Sequence, residues 1–163
     1  MVLLLADLKI PQKYVDGVFT HRLEEALSKR FNREVIATSS GITGLILSLE
    51  ALLNKDKKEI ILPSLSFAAT AQAVIHAGGT LVFADVKSDT WNLDPEDVKR
   101  KITEKTGAIL PVNLFGMPCD IYEFEKIGRE NGIPIIFDSC QAFGAKFVHG
   151  EIGTFGDAEV LSL

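Results

Sequence analysis

The 163 residues contain only two cysteines and three histidines. Cys119 and Cys140 stand too far apart for a CxxC pair, and His21, His76 and His149 have no ligand spacing around them. A zinc signature is excluded. Two scattered thiols also speak against a disulfide framework and fit a reducing compartment. Basic residues are in the minority, with 17 Lys and Arg against 22 Asp and Glu for a net charge of -5. The densest basic patch, Lys55-Asp56-Lys57-Lys58, reads as a solvated loop. Nucleic acid is therefore not an expected partner. No apolar run is long enough for a membrane span. Met1 to Ala6 is apolar but is broken by Asp7 and Lys9, and it lacks a signal peptide's basic lead. Neither a Walker loop nor GxGxxG occurs, and there are no repeats, low-complexity tracts or Pro/Ser-rich linkers. The composition predicts a soluble cytoplasmic chain without a membrane or nucleic-acid partner.

What is present is apolar sequence in short, regularly spaced runs. Hydrophobic residues make up 47% of the chain, enough for one domain with a sizeable core. The most informative run is Ile133-Pro134-Ile135-Ile136-Phe137, which leads straight into Asp138-Ser139-Cys140-Gln141. A continuous apolar run of this length predicts a strand buried on both faces, as in parallel sheets. Ligands of such sheets sit outside the carboxyl ends of the strands, where Asp138 stands. A carboxylate entering a dry site needs a cation or a hydrogen-bond donor. Either Asp138 faces a ligand, with Gln141 as a neutral second contact, or it caps the next turn.

The rest of the chain alternates between strand and helix patterns. A helical period begins at His21, and Glu34–Thr38 reads as a short strand. Ser39-Ser40-Gly41-Ile42-Thr43-Gly44 then opens a helix whose apolar face is Ile42, Leu45, Ile46, Leu49, Leu52 and Leu53. Small polar residues at a helix start form either a phosphate site or a plain N-cap. Glu59–Pro63 and Thr80–Ala84 are predicted strands around an alanine-rich helix that Gly78-Gly79 ends. Phe67, at the entrance to that helix, either stacks on a planar ligand or packs in the core. Asp94-Pro95-Glu96-Asp97 starts another helix, and Ala108–Val112 is a strand that closes at Asn113. Asp120 to Glu123 resembles a capping box for a helix running to about Asn131. Phe143–Asp157 is a glycine-punctuated loop or hairpin, and Ala158–Leu163 is a last strand. The alternation predicts an α/β three-layer αβα sandwich with a mostly parallel sheet. Thr38-Ser39, Pro63, Asn113, Asp138 and Ser162 are then expected at one edge, around one ligand.

Several of these segments, in this order, resemble the DegT/DnrJ/EryC1/StrS sugar aminotransferases, pyridoxal-phosphate enzymes of fold type I. The resemblance runs from about Tyr14 to Leu163. It rests on Ser39-Ser40-Gly41 entering a helix, on Leu62 to Ala71, on Asp89-Thr90-Trp91-Asn92-Leu93-Asp94-Pro95, on Pro111 to Pro118, on Asp138 to Gly144 and on Gly153 to Ala158. It implies pyridoxal 5'-phosphate as cofactor. Asp138 would pair with the protonated pyridine nitrogen, Gln141 would contact the ring hydroxyl and Phe67 would stack on the ring. The backbone of Ile42 and Thr43, with Ser162, would hold the phosphate. Nucleotide sugar, glutamate and a second copy of the chain would be the partners. Ile42 replaces the family's usual threonine, and Asn113 and Phe143 stand where relatives often carry histidine.

The resemblance also implies that the Schiff-base lysine lies a few residues beyond Ser162, and no lysine here matches it. Lys146 belongs to the predicted hairpin. The expectation is an N-terminal segment over residues 1–20 and an incomplete cofactor-binding large domain over 21–163, with the carboxy-terminal small domain absent. Such a fragment of a nucleotide-sugar aminotransferase would be inactive by itself. The alternatives are a non-enzymatic binding or regulatory module that keeps the cofactor pocket, and a generic α/β nucleotide-binding domain. The dehydratases of the family, which carry histidine in place of the lysine, form a further branch.

Overall fold

The structure, a computed structural model, describes residues 17–53, 56–148 and 150–163. Most of the expected N-terminal segment over 1–20 lies outside the described residues. So do Lys55 and His149.

In chain order the elements are α1 (Val18–Phe31), α2 (Gly41–Leu52), β1 (Glu59–Pro63), α3 (Ala68–His76), β2 (Thr80–Ala84), α4 (Pro95–Lys101) and β3 (Thr106–Ile109). A 3-10 turn, Leu114–Gly116, follows, and then α5 (Ile121–Asn131), β4 (Ile136–Ser139), β5 (Lys146–Phe147), β6 (Gly150–Glu151) and β7 (Ala158–Leu161). β1 pairs in parallel with β2 on one side and β3 on the other, and β4 pairs in parallel with β7. Parallel bridges at Ile109–Ile135 and Val112–Asp138 join the two groups. The backbone across that seam is bonded, with Asp138 N–H to the Pro111 carbonyl and Asn113 N–H to the Asp138 carbonyl, both at 2.9 Å. The main sheet therefore runs β2-β1-β3-β4-β7. β5 and β6 form a separate antiparallel hairpin that contains Lys146.

Alternation along the strands builds two cores, because successive side chains leave a strand on opposite faces. Ile60, Leu62, Ala108, Leu110 and Ile136 pack against Leu45 and Leu49 of α2 and Ala73 and Val74 of α3. Ile61, Ile109, Ile135 and Phe137 pack against Val98 of α4 and Phe124 and Ile127 of α5. This is the three-layer αβα arrangement. It also fixes the direction of Asp138, two residues after Ile136 and so on the α2/α3 face.

Local expectations change as well, and the predicted strand Ala108–Val112 is β3 at Thr106–Ile109. Glu34–Thr38 is not a strand. Val35 N–H donates to Ser28 Oγ at 3.0 Å and Ala37 N–H to Glu24 Oε1 at 2.8 Å, so alternate amides are spent on α1. Ile36 is 72% exposed, and a cleft separates this segment from β7. α1 begins at Val18, ahead of the periodicity at His21. The capping box at Asp120 is not formed. The Asp120 side chain makes no cap bond and instead accepts from Lys87 Nζ at 3.0 Å, while Glu123 pairs with Lys99.

Candidate active site

The site begins with Asp138, third residue of β4 and 6% exposed. Its Oδ2 accepts the Thr70 hydroxyl at 2.8 Å, and its Oδ1 accepts the Cys140 N–H at a long 3.3 Å. A carboxylate offers about four lone-pair directions. Two donors leave it able to accept a further one, as a protonated ring nitrogen would require. Burial, then the neighbouring Asp138 charge, pushes the Cys140 thiol up to about 12. At neutral pH the sulfur beside Asp138 is therefore an uncharged thiol.

Thr70 also stands one turn along the chain from Phe67. Phe67 is the N-cap residue of α3, three positions before Thr70, whose N–H donates to the Phe67 carbonyl at 3.0 Å. Thr70 is buried against Asp138, whereas Phe67 is 70% exposed and does not pack in the core. Gln141, in the turn after β4, is exposed. Its Oε1 accepts the Phe115 N–H at 2.9 Å, which leaves the amide NH2 free to donate outward. That polarity suits a ring oxygen.

The start of α2 abuts the ends of β4 and β7. A Cβ added to Gly41 would lie 2.5 Å from Cys140 Sγ, and one added to Gly44 would lie 2.9 Å from Val160 Cγ1. Glycine is what lets the helix start sit this close. Ser40 is the N-cap, its Oγ accepting the Thr43 N–H at 3.3 Å and sharing a 2.9 Å contact with Thr43 Oγ1. Ser39 Oγ reaches the same hydroxyl at 3.2 Å. Gly41 and Ile42 keep the donors that a helix start leaves without an intrahelical acceptor. The Ile42 side chain packs into the α2/α3 core, so only its backbone serves an anion. Ser162, just past β7, lines one cleft of about 460 Å³ with Ser39, Ser40 and Gly41. The amides, the hydroxyls of Ser39, Ser40, Thr43 and Ser162 and the dipole of a twelve-residue helix suit a phosphate.

Asn113 departs from its expected place at the ligand edge. It is fully buried, with Nδ2 donating to Ser139 Oγ at 2.7 Å and Oδ1 accepting the Cys119 N–H at 2.8 Å. Ser139 in turn donates to Glu159 Oε1 at 2.6 Å, and Glu159 Oε2 accepts the Gly153 and Phe155 N–H groups. Burial raises the Glu159 carboxyl above its ordinary range despite these donors. Pro63 is buried, and Thr38 belongs to no strand. Phe143 packs edge-on to Phe31 at 6.4 Å and beneath the Arg30 guanidinium at 5.0 Å.

Sequence reasoning did not single out Thr70 or Glu159. Thr70 carried a signal in its spacing of three from Phe67. Glu159 carried one as a lone acid in an otherwise apolar strand.

Among solved structures, the chain is similar to DesI with its TDP-sugar product (TM-score 0.80, 36% identity, 89% of this chain and 37% of that one). It is also similar to NtdA of Bacillus subtilis with the cofactor PMP bound (TM-score 0.76, 36% identity, 78% of this chain and 30% of that one). The GDP-perosamine synthase of Escherichia coli O157:H7 is 33% identical over 147 residues, 90% of this chain and 40% of that protein. The chain thus spans about two fifths or less of the length of these relatives. The family described as the DegT/DnrJ/EryC1/StrS aminotransferases matches residues 5–163. With the αβα sheet, the buried strand-end carboxylate and the anion-ready helix start together in one molecule, the chain belongs to the DegT/DnrJ/EryC1/StrS aminotransferase family.

Proposed function

We propose that this chain is the cofactor-holding part, over residues 21–163, of a nucleotide-sugar aminotransferase that moves an amino group from glutamate to a keto-sugar nucleotide. The observation that carries the reading is Asp138: a buried carboxylate at the end of an inner parallel strand, held by Thr70 and lying on the sheet face that α2 covers. The names of the relatives, which involve GDP- and TDP-sugars, support the substrate class. Pyridoxal phosphate, when bound, supplies the electron sink and the amino-group carrier. The protein's task is to hold and orient it. Asp138 keeps a proton on the pyridine nitrogen by charge pairing. Gln141 donates its amide NH2 to the ring oxygen, and Phe67 covers one ring face. The Ile42 and Thr43 backbone, the Thr43 hydroxyl and Ser162 take the phosphate at the positive end of α2. The working protein is a cytoplasmic homodimer in this reading.

Equilibrium titration of the chain with pyridoxal phosphate and with pyridoxal tests the proposal. The phosphate-bearing form is expected to bind at least about tenfold more tightly, since charge-assisted bonds at a helix start are worth more than about 1.4 kcal/mol together. Equal affinity for the two forms, or no binding of either, contradicts it.

A further inference from the structure

Two aromatic residues beside the site hold backbone conformations that large side chains rarely adopt. Trp91 has φ 59° and Phe115 φ 54°, both in the left-handed region. Their rings nevertheless meet edge to face, with centroids 6.4 Å apart and planes at 76°. Burial does not explain the arrangement, because Trp91 is 54% and Phe115 73% exposed.

What holds the pair is a clamp of buried polar groups. Asn92, next to Trp91, is 2% exposed. Its Oδ1 accepts the Leu114 N–H at 3.1 Å and its Nδ2 donates to the Met117 carbonyl at 3.0 Å, so it grips the turn on both sides of Phe115. The Trp91 N–H is bonded to the Lys87 carbonyl at 2.9 Å. From the other direction, the Phe115 N–H donates to Gln141, the residue assigned to the cofactor ring. The two strained residues are thus rigidly tied to each other and to the site, while their rings are offered to solvent. Over-determined strain of this kind collects at ligand clamps.

Two rings near a right angle form a corner. A third flat ring can stack on one face and meet the edge of the other. Stacking accepts any nucleobase, because every base has a π-face. We infer that Trp91 and Phe115 are the subsite that stacks the base of the nucleotide-sugar substrate. This inference rests on the nucleotide-sugar reading above.

Trp91 is the single tryptophan of the chain, so its fluorescence reports this corner alone among indoles. Emission is followed as uridine, guanosine and thymidine diphosphates are added, with and without pyridoxal phosphate. At least one is expected to quench Trp91 saturably, and inorganic pyrophosphate to leave it unchanged. Phe115→Leu is expected to weaken half-saturation on the order of tenfold, the loss of one base–aromatic contact. Phe115→Tyr keeps the aromatic face and retains binding, which separates loss of stacking from loss of fold. The inference is overturned if no diphosphate quenches, if pyrophosphate quenches as well as they do, or if emission shifts with protein concentration alone because a second copy covers the pair. Cofactor binding is read separately from the visible absorbance of pyridoxal phosphate, so a failure there is distinct from a failure of base stacking.

Discussion

The Thr70 hydroxyl donates a 2.8 Å hydrogen bond to Oδ2 of Asp138, with the two residues 1% and 6% exposed. The bond ties α3 to the tip of β4, and with the Cys140 N–H on Oδ1 each carboxylate oxygen holds one donor. Thr70→Val keeps the shape and removes the donor. Leaving a buried carboxylate oxygen unpaired is expected to cost ~1–3 kcal/mol of stability and to weaken pyridoxal-phosphate binding. Thr70→Ser keeps the donor and is expected to restore most of both. Denaturant unfolding and cofactor titration of the two variants check this.

Ser40 caps α2 through its hydroxyl, and the amide it occupies belongs to the candidate phosphate site. Ser40→Ala is expected to cost about 1 kcal/mol in the ligand-free chain. With pyridoxal phosphate bound the cost is expected to shrink, because the phosphate then satisfies the same helix-start donors. Unfolding free energies with and without the cofactor measure the difference.

Glu159 sits half-buried between β7 and the glycine-rich turn, accepting from Ser139, Gly153 and Phe155. Burial raises its carboxyl above the ordinary 4.5. In the window just above that value the folded chain holds a proton that the unfolded chain has released. This group's contribution to stability is therefore fullest below 4.5 and declines as pH rises through the window. Glu159→Gln removes the decline. Its amide NH2 also confronts donors, so the variant is expected to be less stable by ~1–3 kcal/mol at low pH, with a smaller deficit at neutral pH. Denaturation curves across this pH range read both the offset and the slope.

The sheet and its helices were legible in the sequence because their apolar runs have one period each. Glu59–Pro63 and Thr80–Ala84 match the structure residue for residue. Asp138 was legible because a continuous apolar run marks an inner strand, and an acid at its carboxyl end must meet a donor or a ligand there. Glu34–Thr38 misled because β-branched content does not record where backbone amides find their partners, and here α1 side chains take them. Asp120 misled because its rival partner, Lys87, lies 33 positions away. Asn113 looked like an edge residue until Ser139 and the Cys119 amide closed around it. The misses at Glu34–Thr38, Asp120 and Asn113 concern polar groups whose partners lie from 6 to 33 positions away, and periodicity carries no information about such pairs.

In the proposed function Asp138 keeps a proton on the nitrogen of a bound pyridine ring. Nitrogen NMR of pyridoxal phosphate isotopically labelled at its ring nitrogen, bound to the chain and to Asp138→Asn, reads that proton directly. A protonated ring nitrogen is expected in the native chain at neutral pH and an unprotonated one in the variant. An unprotonated nitrogen in the native chain, or the same signal in both proteins, would contradict it.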